Sequence, residues 1–328
     1  MRRVAGLVAV LLSTACSTAP GLPAQSPGTS SLTASTASPS PTSPTCRLPV
    51  VVSRFDPTAR TWSPDTSGFL TYPAGEFTTA GATGVRYDTS RRVWLPSGVP
   101  TPDGAGYVYA DSAGAIHETT IDSGLDRVVV PGSWEPLGFI GNSLYVTEAK
   151  PIPPSAFAGG GYTEGGVYKT DLSGSKPVAV TQHSGPWWLS SLGAWTMDRA
   201  DGFRQAPDRV LHLDLETRAI TPWLSGVGSV SVVGFDAAGH PFVVAGGDGV
   251  QVMLLIDPET SRNVYSGSRE QGWPDAPYYV DGDNVWFSGF GIKDPTYEAP
   301  AWLYRPAVGL RPSVGVPGSQ VKVAGPCR

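Results

Sequence analysis

Cysteine is scarce in this chain: three in 328 residues, at positions 16, 46 and 327. That excludes a disulfide-dense scaffold and a cysteine-cluster zinc site. Histidine is almost as scarce. His117, His183, His212 and His240 have no ligand-like spacing, so no metal site is expected. Charged residues make up 16 % of the chain, with a net charge of −5 and no basic run, which argues against nucleic acid. No run of 12 or more residues has helical apolar spacing. Phosphate-loop, GxSxG and HExxH patterns are absent, so no cofactor is expected. "DGDN" at 281–284 lacks the rest of a calcium loop and reads as a hairpin turn.

The first residues are distinctive. "MRR" is basic, and "VAGLVAVLL" is apolar but spans only ~14 Å as a helix, too short to cross a bilayer. "STAC" supplies small residues ending at Cys16, which completes a secretory signal. Leu12-Ser13-Thr14-Ala15-Cys16 resembles the lipobox of bacterial lipoproteins, with Ser13 where that family most often has leucine. The resemblance implies a signal peptide over 1–15, acylation of Cys16 (palmitate among the acyl groups) and tethering to the extracytoplasmic side of the cell envelope. Residues 17–45 are almost wholly Ser, Thr, Pro, Ala and Gly, so 16–45 is expected to be a disordered linker. In an oxidising compartment disulfides persist. With Cys16 committed to lipid, Cys46 and Cys327 are left at the two edges of everything that looks folded, and they are expected to pair.

The body, 46–328, is rich in Gly, Pro, Val, Trp and Tyr. Short apolar or alternating runs such as "YVYAD", "PFVVAG" and "NVWFSG" are bounded by turn residues, which is the strand signal. A strand–Asp-turn–strand unit recurs around Asp88, Asp122, Asp171, Asp214 and Asp257, the last three intervals being 49, 43 and 43 residues. A Gly/Asp hairpin lies upstream of each. A four-strand period near 43 residues is that of a propeller blade. The expected fold is therefore all-β, a six-bladed β-propeller, with seven blades as the alternative because "SRFDPTARTW" near Asp56 mimics the unit. Blades are expected at 46–98, 99–133, 134–184, 185–226, 227–270 and 271–328, with first and last strands pairing in one blade. The aspartates read as turn punctuation.

"TPDGAGYVYADSAGAIHETTIDSG" resembles repeats of TolB-type, WD40-like propeller lipoproteins, and "DGDNVWFSG" is similar to repeats of streptogramin-lyase-type propellers. Neither resemblance fixes an activity. Long segments at 73–84, 150–166, 198–209 and 289–300 are expected on one face, joined by the blade-to-blade segments 183–188 and 270–279. The candidate binding face comprises Tyr162, Trp187, Trp273, Tyr278, Tyr297 and Arg204, with burial between blades as the competing role of the tryptophans. The expected function is a tethered binding or scaffold module for a protein, peptide or glycan. The chain is expected to be monomeric, with the membrane engaged through the anchor alone. The alternative is a lyase or glycan-active hydrolase, for which His183, Glu164, Asp275 and Glu298 are the candidate groups.

Overall fold

The computed structural model describes residues 45–328 except 57, 60, 64, 153–160, 199–205, 248 and 292–297, and for residues 61, 62, 150–152 and 161–164 the backbone alone. Cys16, expected to be acylated, and the 1–15 and 16–44 segments lie outside the described residues. What is described is a six-bladed β-propeller, each blade a four-stranded antiparallel sheet.

From the axis outward, the first blade runs Gln320–Val323, Cys46–Ser53, Thr66–Tyr72 and Phe77–Thr79. The second runs Val99–Pro100, Gly106–Ala110, Ile116–Thr120 and Asp126–Val130. The third is Trp134–Ile140, Ser143–Ile152, Gly161–Thr170 and Val178–Thr181. The fourth is Trp187–Ser190, Gly193–Asp198, Arg209–Leu213 and Ile220–Ser225. The fifth is Ser229–Phe235, Pro241–Gly246, Val250–Leu255 and Ser261–Gly267, and the sixth is Trp273–Asp281, Asn284–Phe290, Trp302–Arg305 and Gly309–Pro312.

Ring closure follows from the first blade. The last strand of the chain is its innermost strand and pairs with the first strand in the register Val50↔Val323 to Ser53↔Gln320. Cys46 and Cys327 are disulfide-bonded, with Cα atoms 5.5 Å apart. Flanking backbone bonds reinforce the seam: Arg47 N donates to Arg328 O (2.6 Å) and Ala324 N to Pro49 O (2.8 Å).

The middle strands of a blade are apolar on both faces because a neighbouring blade covers each side. Val50, Val51 and Val52 are all buried, as are Val252, Met253 and Leu254. The apolar clusters sit in the seams between blades. Trp195 fills the fourth–fifth seam and Phe242, Phe287 and Trp302 the fifth–sixth. Most of the recurring aspartates cap turns. Oδ1 of Asp88, Asp171, Asp214 and Asp257 each accepts a backbone N–H two residues on. Asp122 does not: its Oδ1 instead meets Arg91 Nε at 3.4 Å.

Two hairpins stand outside the blades. Phe55–Asp56 with Thr61–Trp62 is a ribbon between two strands of the first blade, so the Asp56 unit adds no seventh blade. Arg86–Asp88 with Val93–Leu95 is the second ribbon. The sequence predicts the Asp88 unit as the outer half of the first blade. The structure corrects this: Phe77–Thr79 takes the outer position, and the closing strand supplies the inner one. The Asp88 hairpin docks beside the first blade instead, with Tyr87 N donating to Ala324 O (2.7 Å) and Ser67 Oγ to Gly84 O (2.6 Å). Tyr87 and Trp94 pack edge-on against Phe69 of the first blade at ring distances of 5.0 and 5.8 Å.

Candidate functional site

In a four-stranded antiparallel blade, the first–second and third–fourth turns open on one face. Second–third connections and the links between blades open on the other. The first face carries the short hydrogen-bonded turns, such as 101–105, 171–177, 214–219 and 282–283. The second is where the connections leave Ser53, Thr79, Ile152, Asp198 and Phe290. Its connections are not all long, because the second and fifth blades contribute only 111–115 and 247–249. One expected member is misplaced: residues 73–76 join the third and fourth strands of the first blade and so lie on the short-turn face. The strand that starts at Cys46 also begins on the short-turn face, opposite the long connections.

The predicted aromatic residues divide. Trp187 is a correction: it is 4 % exposed, packs with Tyr145, Val167 and Leu213 in the third–fourth seam, and Nε1 donates to His183 O (3.1 Å). Successive strand residues point to opposite faces, so Trp188 lands in the fourth–fifth seam. Tyr278 also packs between blades, near Phe235 and Phe287, and burial pushes its hydroxyl up to about 12. Trp273 does reach the long-connection face. It is half-buried and stacks on Phe290, 38 % exposed, with ring centroids 4.9 Å apart and planes at 28°. Arg204, Tyr297 and the side chain of Tyr162 lie outside the described residues.

The groups considered for acid–base chemistry do not converge among the described residues. His183 Nε2 is buried without a hydrogen-bond partner, and its ring packs edge-on to Trp187. Asp275 is half-buried, and burial raises its carboxyl above the usual range although Oδ1 accepts Ala276 N (2.8 Å). Glu298 Oε2 accepts Gly318 N (3.3 Å), and the side chain of Glu164 lies outside the described residues. A histidine–carboxylate cluster does form elsewhere, on the second blade. His117 Nδ1 meets Asp126 Oδ1 at 2.8 Å and Nε2 meets Asp111 Oδ2 at 3.2 Å, while Tyr109 donates to Asp126 Oδ2 (2.5 Å). It sits on the second to fourth strands of its blade, away from the axis.

The reading of the sequence missed a cavity of about 530 Å³ between the sixth and first blades and the 80–98 link. Val51, Val85, Ala276 and Pro277 form apolar wall, and Asp65, Arg86, Tyr279 and Lys322 bring polar groups to it. Strand alternation explains Arg86: its neighbour Tyr87 turns to the Phe69–Trp94 cluster, which sends Arg86 the other way. Burial lowers the pKa of Arg86, partly offset by Tyr279 and Asp88, and burial pushes the Tyr279 hydroxyl up to about 12. Lys322 Nζ lies 3.5 Å from Asp65 Oδ2.

No protein-family model matches the chain, and no curated protein matches it in sequence. Among solved structures, the chain is similar to a putative TolB from Agrobacterium tumefaciens at 12 % identity and a TM-score of 0.49, covering 85 % of this chain and 93 % of that one. An oligogalacturonate lyase in complex with manganese is similar at 13 % identity and a TM-score of 0.48, covering 76 % and 71 %. An acylaminoacyl peptidase of Pyrococcus horikoshii gives 8 % and 0.48, covering 83 % of this chain but 46 % of its own. At such identities the likeness is one of architecture alone.

Proposed function

We propose that this chain is an envelope-tethered binding module that presents its long-connection face to a protein, peptide or glycan. Cys16 carries the acyl anchor, the Ser/Thr/Pro-rich segment spaces the propeller from the membrane, and the ring supplies a rigid platform. One observation carries the reading: the strand leading from the tether starts on the short-turn face, and the long connections open on the opposite one. The long connections, including the Trp273–Phe290 stack, are thus left clear of the point where the linker joins the ring. Stacked aromatic rings offer flat apolar area with little conformational entropy to lose, a feature common to peptide and sugar contacts.

The test has two parts. Cys16→Ala should move the chain from the membrane to the soluble fraction of the producing cell; retention on the membrane refutes the anchor. For binding, immobilised full chain is used to capture partners from envelope extract, and each is then purified and titrated. Phe290→Ala should weaken the genuine partner by about tenfold, as expected for an aromatic contact residue. Leu125→Ser, at an exposed position on the short-turn side, should leave affinity unchanged. Equal affinity for wild type and Phe290→Ala refutes the assignment of the face.

A further inference from the structure

The cavity between the sixth and first blades and the 80–98 link holds two polar groups that make no hydrogen bond to the described residues. The Arg86 guanidinium has no hydrogen-bond acceptor among the described residues. The nearest acid on its own ribbon, Asp88, is engaged by Ser90 and Arg91. The Tyr279 hydroxyl also lacks a hydrogen-bond partner among the described residues, and the two groups line one cavity. Half-burying a cation without an ion-pair partner costs part of its hydration, and a ligand that supplies the counter-ion recovers that cost.

The charges set the ligand's valence. Lys322 is ion-paired with Asp65, whereas Arg86 makes no ion pair among the described residues and is only partly offset by Asp88, so the cavity's excess positive charge comes from Arg86. A dianion would bring a second negative charge toward Asp65 with nothing to meet it. Val51, Val85, Ala276 and Pro277 add apolar wall, and about 530 Å³ is the volume of a small-molecule site. We propose that this cavity binds a small monocarboxylate with an apolar body. The carboxylate lies against the planar fork of Arg86, which matches it with two parallel N–H donors. Tyr279, kept neutral, donates a further hydrogen bond, and the body of the ligand covers the valine and proline wall. The inference rests on reading this end of the ring as a binding surface, but the two fail separately: partner capture can be lost while the small anion still binds.

The test is calorimetric titration of the full chain with benzoate, its neutral isostere benzamide and inorganic phosphate. Benzoate should bind saturably at one site, with benzamide and phosphate each about tenfold weaker or worse, in line with the cost of losing or mismatching a charge-assisted pair. Arg86→Gln should weaken benzoate by about tenfold and Tyr279→Phe by about fivefold. Asp65→Asn should act in the opposite direction and tighten benzoate several-fold, because it releases Lys322. Arg86→Gln should melt no lower than the wild type without ligand, since it removes an unpaired half-buried charge. Should that variant fail to fold, Asp65→Asn alone decides through the sign of its effect. The inference is overturned by benzamide or phosphate binding as well as benzoate, by unchanged affinity in Arg86→Gln, by weaker binding in Asp65→Asn, or by no saturable benzoate binding into the millimolar range.

Discussion

Replacing Cys46 and Cys327 by serine removes the covalent staple and leaves the closing sheet otherwise intact. The two residues are 281 apart in sequence, so the bond closes nearly the whole described chain into one loop. Loop-closure entropy for that length gives a ceiling of about 5–6 kcal/mol, acting mainly on the unfolded state. The folded state loses little, because the pairing of Val50–Ser53 with Gln320–Val323 and the reciprocal bonds between Arg47 and Arg328 persist. The assay is guanidinium unfolding of wild type and double variant, followed by tryptophan fluorescence. With a slope of about 5 kcal/mol/M for a domain of this size, the midpoint should fall by up to about 1.0–1.2 M. The slope itself should rise, because the uncrosslinked unfolded chain exposes more surface. An unchanged midpoint and slope would refute the reasoning, since it would mean that no long loop is being closed.

Trp195→Ala should cost about 3–5 kcal/mol in the same assay, because Trp195 is fully buried in the fourth–fifth seam and its Nε1 donates to Ser190 Oγ (2.9 Å); a loss below about 1 kcal/mol contradicts the packing. Gly166→Ala should cost about 1–3 kcal/mol, since a Cβ there would lie 1.9 Å from Thr181 O on the paired outer strand. His117 has its pKa raised, chiefly by the hydrogen bond to Asp126. A raised folded-state pKa gives stability that is fully present below the unfolded value of 6.5 and is lost as pH rises through the folded one. The melting temperature of wild type minus that of His117→Gln should therefore be largest below pH 6.5 and shrink on the alkaline side; a difference that grows with pH reverses the assignment.

The blade count was legible because the third, fourth and fifth blades repeat the same local chemistry at a fixed spacing. Asp171, Asp214 and Asp257 cap their turns through their own backbone, and that information is contained in a few residues. The same locality misled at Asp88. Its bonds to Ser90 match those of Asp171 to Ser173, and nothing in the hairpin itself says whether a blade has room for it. The room was taken by Phe77–Thr79, an outer-edge strand whose exposed threonines carry no apolar alternation. The sequence places Trp187 and Trp188 in a blade-to-blade segment; they instead open a strand, and which seam each fills depends on register. The Arg86 and Tyr279 pair belongs to a ribbon and a distant inner strand, so only tertiary topology brings them to one cavity. The usable signal was the Arg-Tyr-Asp alternation at 86–88: once Tyr87 is assigned to an aromatic cluster, Arg86 must point away from it.

The account's central claim concerns which of the two faces meets the partner. Photo-crosslinking amino acids placed at Ser184 and Glu270 report on the long-connection face, and at Ser173 and Glu216 on the short-turn face. With the purified partner bound, adducts are predicted from positions 184 and 270 and none from 173 or 216. Adducts confined to 173 and 216 would contradict the claim.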